Sequence, residues 1–147
     1  MDTCATYDDV NLILRLYEMR REKRLREARA WFTKFFHAGS VKEFQELCPA
    51  GSEENASYRM VTSYWEMVAS FVAAGVLQKT LFFQSGYEML AVWVRIGGIV
   101  PEYRETMKSP LVYENLEKVA KNYIEWMETR APGSYAAFRE RIRGQGR

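Results

Sequence analysis

Glu53-Glu54-Asn55-Ala56-Ser57-Tyr58-Arg59-Met60-Val61-Thr62-Ser63-Tyr64-Trp65-Glu66-Met67-Val68-Ala69-Ser70-Phe71-Val72-Ala73-Ala74 runs between Ser52 and Gly75 with no glycine or proline. Tyr58, Val61, Trp65, Val68 and Val72 return every third or fourth position, and Met60, Tyr64, Met67 and Phe71 form a second stripe beside them. That period gathers side chains on one face of an α-helix, whereas a half-buried strand alternates every second residue. Its remaining face, Arg59, Thr62, Ser63, Glu66, Ser70 and Ala73, is assigned to solvent.

The same period extends in both directions. Upstream, Ser40 and Glu43 have capping-box spacing and open a short helix that Pro49 ends. Downstream, Gly75 leads into a Leu- and Phe-rich piece over 79–84, and Ser85 opens a helix through Leu90 and Ile96. Gly97-Gly98 predicts a break there, because each glycine weakens a helix by about 1 kcal/mol relative to alanine. Pro101 restarts a turn through Met107. Ser109-Pro110 reads as an N-cap followed by N1 proline, starting a helix that ends near Arg130. A last short helix carries Tyr135, Phe138 and Ile142, followed by a tail.

At the N-terminus, Thr6 and Asp9 suit a capping box, and Val10, Leu14, Tyr17, Leu25, Ala28, Phe32 and Phe35 keep the helical period. Arg21 and Arg24 interrupt that stripe, but the first glycine is Gly39. One helix over 8–36 follows, about 43 Å long at 1.5 Å per residue. The fold class is all-α: a bundle of about five to seven helices in one domain over 1–147. It has a long N-terminal helix over 8–36, a helical core over 40–130, and a C-terminal helix and tail over 131–147. No hairpin signal or internal repeat competes.

Composition agrees with one folded domain. A chain of 147 residues that is 48% hydrophobic and 14% aromatic can fill a core. The net charge of +2 arises from mildly basic ends around an acidic middle, too weak a pattern to imply nucleic acid. Cys4 and Cys48 do not make a disulfide framework, and the polar start at Met1–Asp9 lacks an apolar signal region. A reducing cytoplasm with free thiols is the expected compartment.

The residue inventory argues against most reaction classes. His37 is the sole histidine, placed at a helix exit where a cation suits the negative helix end. Cys4, His37 and Cys48 are scattered and lack metal-ligand spacing, no Glu-x-x-His occurs, and Gly97-Gly98 has no phosphate-loop setting. No catalytic residue, metal or cofactor is therefore assigned.

Three features remain. Arg20, Arg21, Lys23, Arg24, Arg26 and Arg29 give residues 20–29 a local charge of +4 after Glu22 and Glu27. That run reads either as a solvated helix face or as a contact for an anionic surface, an acidic partner or nucleic acid. Leu12, Leu16 and Met19 add apolar surface beside the N-terminal stripe, more than one packing face requires, and suggest a symmetric homodimer. Trp65, Trp93 and Trp126 stand on three predicted helices with Arg95 and Arg104 near Trp93 in sequence. Core packing explains them, or a small-molecule pocket with Arg104 as its anion anchor.

The basic N-terminal helix, Tyr64-Trp65-Glu66 before Gly75, Leu77 with Leu81-Phe82-Phe83, Trp93, and Pro101-Glu102-Tyr103-Arg104 together resemble an uncharacterised bacterial helical family, a domain of unknown function. The resemblance covers about residues 10–127. It implies an all-helical fold and brings no reaction, cofactor or catalytic residue. Some members look membrane-tethered through a preceding apolar helix, which is not expected of this chain. The expected function is a non-enzymatic interaction or regulatory module, homodimeric, with an unknown protein partner. The alternatives are a small-ligand-binding bundle and anionic-surface or nucleic-acid binding through residues 20–29.

Overall fold

The computed structural model describes residues 3–145. In chain order its helices are α1 (Tyr7–Arg20), α2 (Lys23–Phe35), α3 (Val41–Leu47), α4 (Glu53–Ala73), α5 (Lys79–Phe83), α6 (Tyr87–Ile96), α7 (Val100–Met107), α8 (Glu114–Arg130) and α9 (Ser134–Gly144). No strand occurs among the described residues. All-α is the observed class, with nine helices there instead of five to seven.

The expected long N-terminal helix is two helices. The capping box forms as read: Asp9 N–H donates to the Thr6 hydroxyl, and Asp9 accepts from the Thr6 backbone at 2.7 Å. The chain then turns at Arg21-Glu22, and the Glu22 carboxylate caps α2 by accepting from the N–H groups of Arg24 and Leu25, each at 3.0 Å. This satisfies donors at a new helix start without glycine or proline. Two shorter helices can each lay an apolar face on the body, which one straight 43 Å rod could not do.

Helix α4 is the central post. Its first apolar stripe is buried, the second is partly buried apart from buried Tyr64, Val68 and neighbouring Ala69 are fully enclosed, and the helix packs against α2 and α8. The face assigned to solvent is instead covered in part by α8. Thr62 is buried, and Glu66 accepts from the backbone N–H groups of Asn115 at 2.9 Å and Leu116 at 3.0 Å. The helix expected to start at Ser109-Pro110 begins at Glu114 for this reason. Its N-cap residue, Tyr113, lies in the left-handed region at φ 56° and offers no side-chain cap. A carboxylate on another helix supplies the cap. The Tyr113 hydroxyl also lies 2.9 Å from that of Tyr58 and 3.1 Å from Thr62 Oγ1, whose own proton goes to the Tyr58 carbonyl. These contacts hold the strained residue, whose backbone costs about 1–3 kcal/mol.

Phe44 of α3 packs with Phe36 and Tyr58, the three ring centroids lying 4.6 to 6.3 Å apart. On the far side Tyr123 packs on Phe83 at 4.5 Å and donates its hydroxyl to the Phe83 carbonyl. Gly97 follows α6 and breaks the helix as expected, with the Trp93 ring against it.

Candidate functional site

Helix α1 is fastened at three polar points. Asp9 accepts from Gln78 N–H at 2.9 Å, the Tyr64 phenol donates to the Leu16 carbonyl at 2.5 Å, and Arg20 Nη1 meets Glu88 at 2.7 Å. Glu88 also receives Arg29, whose Nε lies 2.7 Å and Nη2 3.1 Å from its two oxygens. Arg29 Nη1 further donates to the Arg20 carbonyl at 3.2 Å. One carboxylate on α6 thus joins the two helices flanking the Arg21-Glu22 turn. The three side chains keep only 17 to 23% exposure. Removing one partner from a pair this screened from water leaves the other charge poorly compensated, which is costly.

These fastenings leave a cleft of about 600 Å³ between α1, α4 and the α5–α6 turn. Ile13, Val68 and Phe82 form apolar wall, and Arg20 is the sole charged residue in the lining. Leu14, Tyr17 and Tyr87 stand at its lip with exposures of 55, 47 and 63%. Gly86 permits this shape, since a Cβ there would sit 2.5 Å from the Phe82 ring. The size and lining fall within the range of small-ligand sites, concave and apolar with few polar groups.

Two donors at this cleft have no partner. Trp65 Nε1 and Arg20 Nε are buried N–H groups without a hydrogen bond. An unsatisfied buried donor costs about 1–3 kcal/mol. Trp65 is only 3% exposed, and the Arg20 guanidinium carbon stands 5.9 Å from its ring centroid and 4.9 Å from that of Tyr17. Burial pushes the neighbouring Tyr64 phenol up to about 12, the positive field of Arg20 opposing it.

The sequence-predicted residues are redistributed. Leu12, Leu16 and Met19 do not form one free face: Leu16 is core at 6% exposure, Leu12 is half-buried against the core, and Met19 is exposed at 44%. The outward apolar face of α1 is Tyr7, Val10, Leu14 and Tyr17, because Leu16 and Asp9 turn toward the body. Of the basic run, Arg20 and Arg29 are bound to Glu88, and Arg24 reaches Glu53 at 3.4 Å and Ser57 at 3.5 Å. Arg21 lies 5.5 Å from the Tyr17 ring, and Lys23 and Arg26 are exposed.

The expected Trp/Arg pocket is not assembled. Trp65 lines the α1 cleft, Trp93 rests on Gly97, and Trp126 packs on Phe83 and Tyr123 with Arg130 5.0 Å from its ring. Arg95 donates to the carbonyls of Phe36 and Ile142, which end α2 and lie in α9. Arg104 is committed to the Val112 carbonyl at 2.8 Å and Glu117 at 3.1 Å, so it is no anion anchor. Leu14, Tyr17, Gly86, Tyr87 and Glu88 were missed as site residues. The surplus of apolar side chains on α1 was the available signal, but the turn at Arg21-Glu22 decides which side faces out.

No group of three or more His, Cys, Asp and Glu side chains suited to a metal gathers among the described residues, and no helix there is long and apolar enough to cross a membrane. The class defined by this geometry is an all-helical domain with a laterally open apolar cleft. The chain belongs to the family described as Domain of unknown function (DUF4760), which it matches over residues 5–126. No curated protein and no solved structure matches it.

Proposed function

We propose that this chain is a non-catalytic, cytoplasmic binding module that holds a small molecule in the α1 cleft, the ligand having an apolar body and a hydrogen-bond acceptor. The observation that carries this reading is the unpartnered Trp65 indole N–H beside an apolar cavity of ligand size. Folded cores rarely leave such a donor unmet, and an acceptor from outside the chain would meet it. The two free cysteines support the reducing compartment. A thermal-shift screen of neutral, anionic and cationic amphiphiles tests the reading. A ligand present at 100 times its Kd adds about 2.7 kcal/mol of stability. A screen in which no amphiphile raises the melting temperature would sink the proposal.

A second reading, self-association as a regulatory module, is favoured by the outward stripe of α1. Tyr7, Val10, Leu14 and Tyr17 are 78, 40, 55 and 47% exposed on one helical face. Contiguous apolar surface of this kind marks interaction sites. Sedimentation at micromolar concentration tests it, and a monomer there removes it. Binding of an anionic surface through residues 20–29 is the weaker proposal, since Arg24 and Arg29 are already engaged and Arg20 lines the cleft.

A further inference from the structure

We infer that the acceptor taken up by the α1 cleft is a carboxylate, and that the ligand is a monoanionic amphiphile anchored on Arg20. This rests on the cleft reading and names the ligand class. The Arg20–Glu88–Arg29 cluster holds two guanidiniums and one carboxylate, so it retains one uncompensated positive charge. No acidic residue lines the cleft to cancel it. Arg20 spends only Nη1 on Glu88. The opposite edge of the guanidinium, Nε with Nη2, carries no hydrogen bond among the described residues. That edge presents two parallel N–H groups, the fork that receives both oxygens of a carboxylate.

Trp65 Nε1–H is a further unpartnered donor on a residue lining the same cleft, with the Arg20 guanidinium carbon 5.9 Å from its ring centroid. Nε and the indole nitrogen are both shut off from solvent, so the carboxylate meets them after a rotamer shift of Arg20, whose side chain keeps 17% exposure. The remainder of the ligand lies between Leu14 and Tyr17 on one lip and Tyr87 on the other, over Phe82. Those walls suit an alkyl or aryl chain and offer no second charge. A cationic head would meet Arg20 as a like charge.

Isothermal titration of the full chain with decanoate, decanamide and decylammonium separates the possibilities. Decanoate is expected to bind at least tenfold more tightly than decanamide, with decylammonium weakest. Arg20→Gln is expected to abolish the preference for decanoate while decanamide still binds. Glu88→Gln, which keeps an acceptor for both arginines, is expected to tighten decanoate several-fold by removing the competing internal carboxylate. Equal affinity for decanoate and decanamide overturns the anion assignment and leaves the cleft reading standing. Unchanged decanoate affinity in Glu88→Gln overturns Arg20 as the anchor. If none of the three compounds binds at millimolar concentration, both proposals fall. The comparison of ligands on the unaltered chain needs no variant to fold.

Discussion

Replacing Glu66 with alanine should loosen the start of α8 before it affects anything else. The carboxylate accepts two backbone protons, from Asn115 at 2.9 Å and Leu116 at 3.0 Å. Leu116 is fully buried, so its N–H would be stranded at a cost of about 1–3 kcal/mol. Asn115 is half-buried and its N–H can turn to water, at a cost nearer the ~0.5–1 kcal/mol of an ordinary lost bond. The sum is about 1.5–4 kcal/mol, above the ~1 kcal/mol of a typical surface cap. For a domain of this size that lowers the melting temperature by about 5–13 °C. Urea denaturation followed by circular dichroism gives the total, and amide exchange gives its location. Glu66→Gln retains one acceptor oxygen and should lose about half as much. A Glu66→Ala protein within 0.5 kcal/mol of the parent, or one whose exchange quickens evenly across all helices, would refute the cross-helix cap.

Gly86→Ala would place a Cβ 2.5 Å from the ring of buried Phe82; a loss of about 1–3 kcal/mol is expected in urea melts, and a neutral result would mean the cleft wall yields freely. Leu14→Glu, at a site 55% exposed, should stay within about 0.5 kcal/mol of the parent in stability and should convert any dimer to monomer in light scattering. Asp9 is held below its ordinary 3.8 by the Gln78 backbone N–H and then by that of Thr6. A carboxyl depressed in the folded state contributes stability above about pH 3.8 and loses it as pH falls through the lower folded value. Acid titration monitored by circular dichroism should therefore show a shallower acid limb in Asp9→Asn; an unchanged limb would count against the bond to Gln78.

Elements set by their own residues were legible in the sequence. The α4 boundaries differ from the reading by one residue, because Ser52 caps one end, Gly75 closes the other, and the stripe between is unbroken. The break at Gly97 and the Thr6–Asp9 box were legible for the same reason. What failed depends on contacts between distant segments. Ser109-Pro110 has the local chemistry of a helix start, yet Glu66 sits five helical residues past Val61 on another helix and caps the chain later. Arg21-Glu22 contains no breaking residue, and only the two arginines interrupting the apolar stripe hinted that the helix divides there. The cleft inherits that uncertainty. Trp65 was singled out, but its neighbours come from α1 and the α5–α6 turn, whose meeting depends on Glu88 joining Arg20 and Arg29 across about sixty residues or more of chain.

The buried phenols give the protein a spectroscopic signature. Tyr64 and Tyr123 are pushed up to about 12 by burial, and Tyr58 and Tyr113 are raised as well within their shared hydroxyl cluster. Of nine tyrosines, these four cannot release their protons near pH 10 as surface phenols do. The part of the alkaline ultraviolet absorbance that these four rings contribute should therefore be delayed until the helix signal collapses. Denaturation by base becomes visible through the chain's own chromophores, with no label attached.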